Sequence, residues 1–205
     1  GTFHPSVVLH LLIASGETYM NVRGEKFTPT KGSVIVIHEI YNCDEDDANE
    51  GNRKSAVEVG IQLAEYESQV PWRDNIRNGP ADNQIFQKRG GISETISDLV
   101  VAGYNQKMNQ LRLSDPTYTW GYDKDYLFEE ADQSSGSRVS GLALVRDYMR
   151  ASLEQENDNP GLYFVETCRR CIETIPTLPR SESNPEDTDQ SGSVPDHAYD
   201  PLRYA

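Results

Sequence analysis

Two stretches of the chain are almost continuously apolar. Residues 5–15, PSVVLHLLIAS, lie between Pro5 and Gly16; residues 33–41, SVIVIHEIY, follow the turn signal Pro29-Thr30-Lys31-Gly32. Both are rich in β-branched residues and nearly continuous rather than alternating, which predicts two central strands of a sheet. The segment between them, ETYMNVRGEKF (17–27), is read as a further short strand, giving a meander. The period then changes. Val57, Ile61 and Ala64, with Ala56 and Leu63 alongside, predict an amphipathic helix over 53–68. NIRNGPADNQIF (75–86) is broken by Gly79-Pro80 and reads as a strand edge running into a loop.

A second helix is predicted from Ile92 to Val101, with Gly103 as its C-terminal stop. A third fits 138–153, where Leu142, Val145, Met149 and Leu153 share a face. GLYFVE (161–166) is a compact strand, followed by a short helix over 168–175. Residues 104–135 carry no clear period, and 180–195 form a polar Ser/Pro-rich loop. The acidic NCDEDDANEGN (42–52) lacks the glycine and terminal glutamate spacing of a calcium loop and reads as a solvated connection. Adjacent strands followed by alternating helices and strands predict an α/β fold, a mixed sheet with helices on its faces. With no repeat and no clean linker, residues 1–205 are taken as one domain.

Charge alters this picture more than size does. The chain carries 19 basic and 33 acidic side chains, a net charge of −14. That argues against passive, non-specific nucleic-acid binding, which rests on neutralising phosphates. It leaves room for an enzyme that meets phosphate through divalent cations, because those ions reverse the local sign. Cys43, Cys168 and Cys171 are an odd number at uneven spacing, favouring a reducing compartment over a disulfide framework. No apolar run approaches the ~20 residues that span a bilayer, and no signal-peptide pattern is present. Opening on Gly1 and closing within a motif at Ala205, the sequence reads as a piece of a longer protein.

Several familiar sites are missing: the phosphate loop, the dinucleotide fingerprint and the nucleophile elbow. Cys168-x-x-Cys171 has one further cysteine and no nearby histidine pair, so two small core residues on a helix are a better reading than half a zinc site. His4, His10 and His38 sit on or beside apolar strands and read as structural. The acids remain. Asp82 follows NGPA at the end of a predicted strand, where open α/β sheets place functional groups, although a lone Asp in a Pro/Gly loop is also a common turn former. Asp196, His197 and Asp200 form a second group in PDHAYDPLRYA (195–205). In one helical turn, Asp196 and Asp200 would share a face. Alternatively Asp200 caps a helix whose first residue is Pro201. Carboxylates from separate elements could hold Mg²⁺ or Mn²⁺, hard ions that prefer oxygen ligands.

NGPADNQIF, GGISETISDLVVAG, SGSRVSGLALVRDYM, GLYFVETCRRCIETIPTLPR, NPEDTD and DHAYDPLRYA, in that order, resemble the C-terminal nuclease domain of the large terminase subunit of tailed bacteriophages and prophages. The likeness covers roughly residues 75–205, and D-H-x-x-D-x-x-R-Y is its most specific element. It implies an RNase H-like fold in which three acids bind two ions, Mg²⁺ or Mn²⁺, and cut concatemeric viral DNA during packaging. The second acid falls on Asp82 and the third on Asp200, with Asp196 as a further metal candidate and His197 in a secondary catalytic place. The first acid belongs to an Asp-aromatic-Gly pattern whose glycine matches Gly1, so it would stand two residues before Gly1. Arg138 and Arg146 match a segment that faces DNA, and Lys88-Arg89 flank the glycine pair; each is equally well a solvated surface charge.

By the same likeness the partners would be double-stranded DNA, the portal protein, the small terminase subunit and an ATPase domain of the same chain, in the host cytoplasm at the procapsid. A competing reading is a catalytically silent module that docks to the portal or the small subunit. A resolvase- or transposase-type enzyme of the same fold class is disfavoured by the DHAYDPLRYA ending.

Overall fold

The computed structural model describes residues 4–20, 23–88, 90, 93–115, 124–125, 127–154, 158–182, 184–189 and 194–205. The two apolar runs form β1 (Val7–Ile13) and β4 (Val34–Tyr41), paired antiparallel. β7 (Leu162–Phe164) adds to β4 in parallel, giving the order β1-β4-β7. The expected meander strand is reduced to a separate two-stranded ribbon, β2 (Tyr19–Met20) with β3 (Lys26–Phe27). A further pair, β5 (Gly79–Ala81) with β6 (Phe128–Glu130), is parallel. The fold is therefore mixed α/β. β4 is central as predicted, whereas β1 has no partner on its outer edge among the described residues.

A bulge in β4 decides how the sheet divides its two faces. His10 pairs with His38 but Leu11 pairs with Val36, so Ile37 is an extra residue. One extra residue reverses the alternation of side chains along the rest of the strand. Val36 accordingly enters one core with Leu142, Leu162, Tyr199 and Leu202, while Ile40 enters a second with Val59, Leu63, Val100 and Tyr104. The first core is built under α3 (Ser137–Leu153), α4 (Arg169–Thr174) and α5 (Tyr199–Tyr204); the second lies under α1 (Ala56–Glu67) and α2 (Ile96–Ser114). Cys168 and Cys171 are fully buried in the first core. Glu39, on the same side of β4, accepts hydrogen bonds from the backbone N–H groups of Arg170 and Cys171, fixing the start of α4.

α2 corrects the sequence reading at both ends. It begins at Ile96, where Thr95 and Asp98 make a capping box, and it runs through Gly103 to Ser114. Gly103 is the place where α2 crosses α1: a Cβ there would lie 2.0 Å from the carbonyl oxygen of Val57. Gly60 makes the reciprocal approach to Val100. A glycine needed for close helix contact has the same local signature as one that ends a helix. The opening of α5 is also corrected. Asp200 lies within the first turn and Ala198 holds the cap position, so Asp200 is not the N-cap. Among the described residues no helix is long and apolar enough to cross a membrane.

Candidate functional site

A cavity of about 1340 Å³ runs along β1 to the end of β5 and the mouth of α5. Its polar end brings together Asp82, Arg138, Asp196, His197 and Asp200. Asp82 follows β5 directly and caps the short turn 83–86, accepting from the backbone N–H of Gln84 at 2.7 Å. That leaves Oδ2 facing α5. There the Tyr204 hydroxyl lies 3.3 Å away and donates to it. Asp200 turns one carboxylate oxygen to Arg203 Nε at 2.7 Å, a side-chain pair of the i,i+3 kind that a helix brings together.

Arg203 and Tyr204 join the two acids. Arg203 Nη2 donates to the Tyr204 oxygen at 3.0 Å, and Gln133 Nε2 donates to the same oxygen at 3.1 Å. With both lone pairs of its oxygen engaged, Tyr204 gives its hydrogen to Asp82. Burial, then the negative charge of Asp200 and the weaker one of Asp82, opposed by Arg203, push the Tyr204 phenol up to about 12. It stays a neutral donor at physiological pH. Arg203 is nearly buried, with its side chain 8% exposed, so Asp200 meets a fixed guanidinium rather than a mobile one. Gly141 of α3 makes room for it: a Cβ there would stand 2.9 Å from Arg203 Cβ.

Asp196 and His197 belong to the turn before α5, closed by the Tyr199 N–H bonding the Asp196 carbonyl. His197 Nε2 is 2.8 Å from Asn49 Oδ1, so Nε2 carries the hydrogen. Nδ1 faces Asp196 at 3.9 Å. Burial lowers the His197 pKa in spite of that carboxylate, keeping the ring neutral. The acidic loop 42–52 is thus more than a solvated connection, because its Asn49 orients His197.

The basic candidates separate. Arg138 reaches the cavity, but its guanidinium is held by Asp187 at 2.9 Å and the Thr188 hydroxyl at 2.7 Å. Arg146, partly exposed and two turns further along α3, does not line the cavity, and neither does the exposed Lys88. Arg89 lies outside the described residues. Residues missed in the sequence are Arg203, Tyr204, Gln133 and Asn49. The D-x-x-R-Y spacing held the signal for the first two, because residues three apart on a helix are neighbours.

Asp82 and Asp200 have the donor chemistry of a hard-cation site, since carboxylate oxygens suit Mg²⁺ or Mn²⁺. The number of donors falls short: among the described residues no three His, Cys, Asp or Glu side chains gather closely enough to hold one ion, Asp196 included. No family model, curated protein or solved structure matches the chain.

Proposed function

We propose that this chain is a DNA endonuclease domain of RNase H-like type, acting as the cutting module of a viral DNA-packaging motor and dependent on Mg²⁺ or Mn²⁺. One observation carries the reading. Two acids 118 positions apart in the sequence, each singled out by its motif, line one polar cavity end and are tied together through Arg203 and Tyr204. Divalent ions, when bound, would neutralise the phosphodiester and make a water more acidic. The chain's own part is orientation: Arg203 holds Asp200, Tyr204 holds Asp82, and Asn49 holds His197. The third carboxylate implied by the motif likeness would lie ahead of Gly1. With a net charge of −14, approach to DNA depends on local cations, and Arg138 lines the same cavity as Asp82 and Asp200.

The test is cleavage of supercoiled plasmid in Mn²⁺ or Mg²⁺ by a version extended upstream of Gly1, beside its Asp82→Asn and Asp200→Asn variants. Cutting by the parent and a loss of ~100-fold or more in each variant is the expected outcome, the scale of losing one contact that stabilises a transition state. Undiminished cutting by either variant would sink that residue's assignment. No cutting by the parent, together with binding to a portal protein, would favour the docking module.

A further inference from the structure

Arg53 is held in a backbone conformation that a side chain disfavours. Its φ of +64° lies in the left-handed region, and it is the only described residue other than glycine found there. The chain is pinned on both sides of it. Before it, Gly51 bridges to Cys43 and the Asn52 N–H donates to the Asn42 carbonyl at 3.1 Å. After it, Ser55 caps α1 through a capping box with Glu58. Gly51 also packs so closely on the chain entering β1 that a Cβ there would stand 2.6 Å from the His4 carbonyl oxygen. Arg53 is therefore carried on a fixed base, four residues after the Asn49 that bonds His197.

No pairing in the fold offsets this placement. Arg53 and Lys54 stand directly before the N-cap of α1, at the positive end of the helix dipole, where cations are disfavoured. Among the described residues the cavity that holds Asp82 and Asp200 is lined by five lysines and arginines: Arg53, Lys54, Arg77, Lys124 and Arg138. Two of these are engaged, Arg138 by Asp187 and Thr188, and Lys124 over the ring of Tyr104 at 5.5 Å. Arg53, Lys54 and Arg77 are exposed and form no ion pair among the described residues. Arg77 is set in place by β5: Ile76 is extended, Arg77 and Asn78 lead into Gly79–Ala81, and Asp82 follows directly. Five residues at ~3.3 Å each put Arg77 at most roughly 17 Å from Asp82. One DNA strand advances ~3.4 Å along the helix axis per phosphate, so that interval spans about five nucleotides.

We propose that Arg53, Lys54 and Arg77 are the phosphate contacts of this domain, carried on the two segments that run into α1 and β5 and holding the backbone of duplex DNA against the Asp82–Asp200 end of the cavity. A phosphate in front of α1 would answer both unpaired cations and the helix dipole together. The choice of DNA as partner rests on the nuclease reading given above. The residues differ from those of the motif likeness, which points to Arg138, Arg146, Lys88 and Arg89.

Fluorescence anisotropy of a labelled duplex with the intact protein in Ca²⁺, across a salt series, tests the contacts apart from cleavage. Arg53→Gln and Arg77→Gln should each weaken binding ~5-fold or more near 0.1 M salt and flatten the salt slope by about one. Arg53→Lys should restore most of what Arg53→Gln loses. Arg53→Gly separates binding from structure: glycine suits the left-handed φ, so the melting midpoint should hold or rise while affinity falls. A lower midpoint with unchanged affinity would make Arg53 structural and overturn its assignment. Lys26→Gln combined with Lys31→Gln removes two exposed cations away from the cavity. An equal loss of affinity there would reduce the effect to net charge and overturn the proposal, as would unchanged binding in the Arg53 and Arg77 variants or no binding by the parent. Weakened binding in those variants without DNA cleavage by the parent would keep the contacts and remove the nuclease; cleavage with unchanged binding would do the reverse.

Discussion

Tyr204 in the last helix gives its hydroxyl hydrogen to Asp82, 122 positions away, across a gap of 3.3 Å. This long bond is the point where α5 closes on the end of β5, and Arg203 links the same hydroxyl to Asp200. The same oxygen receives Arg203 and Gln133, so a single atom reports on three other side chains.

Tyr204→Phe keeps the ring and removes that atom. Three hydrogen bonds are lost, two of them part-buried and one exposed, so a cost of about 1–2 kcal/mol is expected rather than the sum of three buried bonds. Urea denaturation measures it. Arg203→Met, which takes a nearly buried guanidinium away from a partly exposed Asp200, should cost more than Tyr204→Phe. The opposite order would mean that Asp200 is solvated well enough to stand alone.

Gly103→Ala should be among the most damaging single-methyl changes in the chain. The added Cβ would sit 2.0 Å from a backbone carbonyl of α1, which no rotamer change can relieve. The helices must separate, exposing part of the core around Leu63 and Tyr104, at a cost above about 3 kcal/mol. Gly79→Ala is the control, because nothing lies within 4 Å of its Cβ position; it should move the melting midpoint little. Circular dichroism melts of the two variants make the comparison.

How far these features were legible in the sequence follows from their range. β1, β4, α1 and α3 announce themselves through periods that each segment carries alone. The bulge at Ile37 does not, because it depends on how β1 and β4 align, yet it decides which core receives Val36 and which Ile40. Gly103 misled for a related reason: helix-ending and helix-crossing glycines differ only in what the partner helix does. At the site, Asp82 and Asp200 were visible as acids in distinctive motifs, and Arg203 was within reach of helical i,i+3 spacing. The Asn49–His197 and Asp187–Arg138 contacts join distant loops to the cavity, and no local pattern encodes them.

His38 makes stability depend on acid in a defined window. Its ring stacks flat on Tyr66 with centroids 3.4 Å apart, and Nδ1 lies 3.3 Å from His10 Nδ1. Burial first, and then His10, lower its pKa from 6.5 to about 4. Between those values the unfolded chain binds a proton that the native ring refuses, so stability is present above pH 6.5 and declines as pH falls toward 4. The slope from this group is at most ~1.4 kcal/mol per pH unit. His38→Gln should be less stable at pH 7 but show a shallower loss between pH 6.5 and 4, read from urea midpoints. An unchanged slope would assign the acid sensitivity to other groups.

Arg138 separates a structural from a DNA-facing role. Its ion pair with Asp187 is partly shielded, with side chains 27% and 13% exposed, and it adds a bond to Thr188. A double-mutant cycle with Arg138→Ala and Asp187→Ala should give a coupling of about 1–2 kcal/mol, between the values for surface and fully buried pairs. Asp187→Ala leaves the guanidinium at the cavity without its carboxylate. If that cation meets phosphate, Asp187→Ala should tighten duplex DNA binding several-fold while lowering stability, and Arg138→Ala should weaken binding and reduce the salt slope by about one. Stability and affinity then move in opposite directions in Asp187→Ala, which a purely structural pair cannot produce. Fluorescence anisotropy with a labelled duplex across a salt series reads the affinity, and denaturation of the same samples reads the stability. Unchanged affinity in both variants would leave Arg138 as the clamp that docks residues 187 and 188 onto α3, and nothing more.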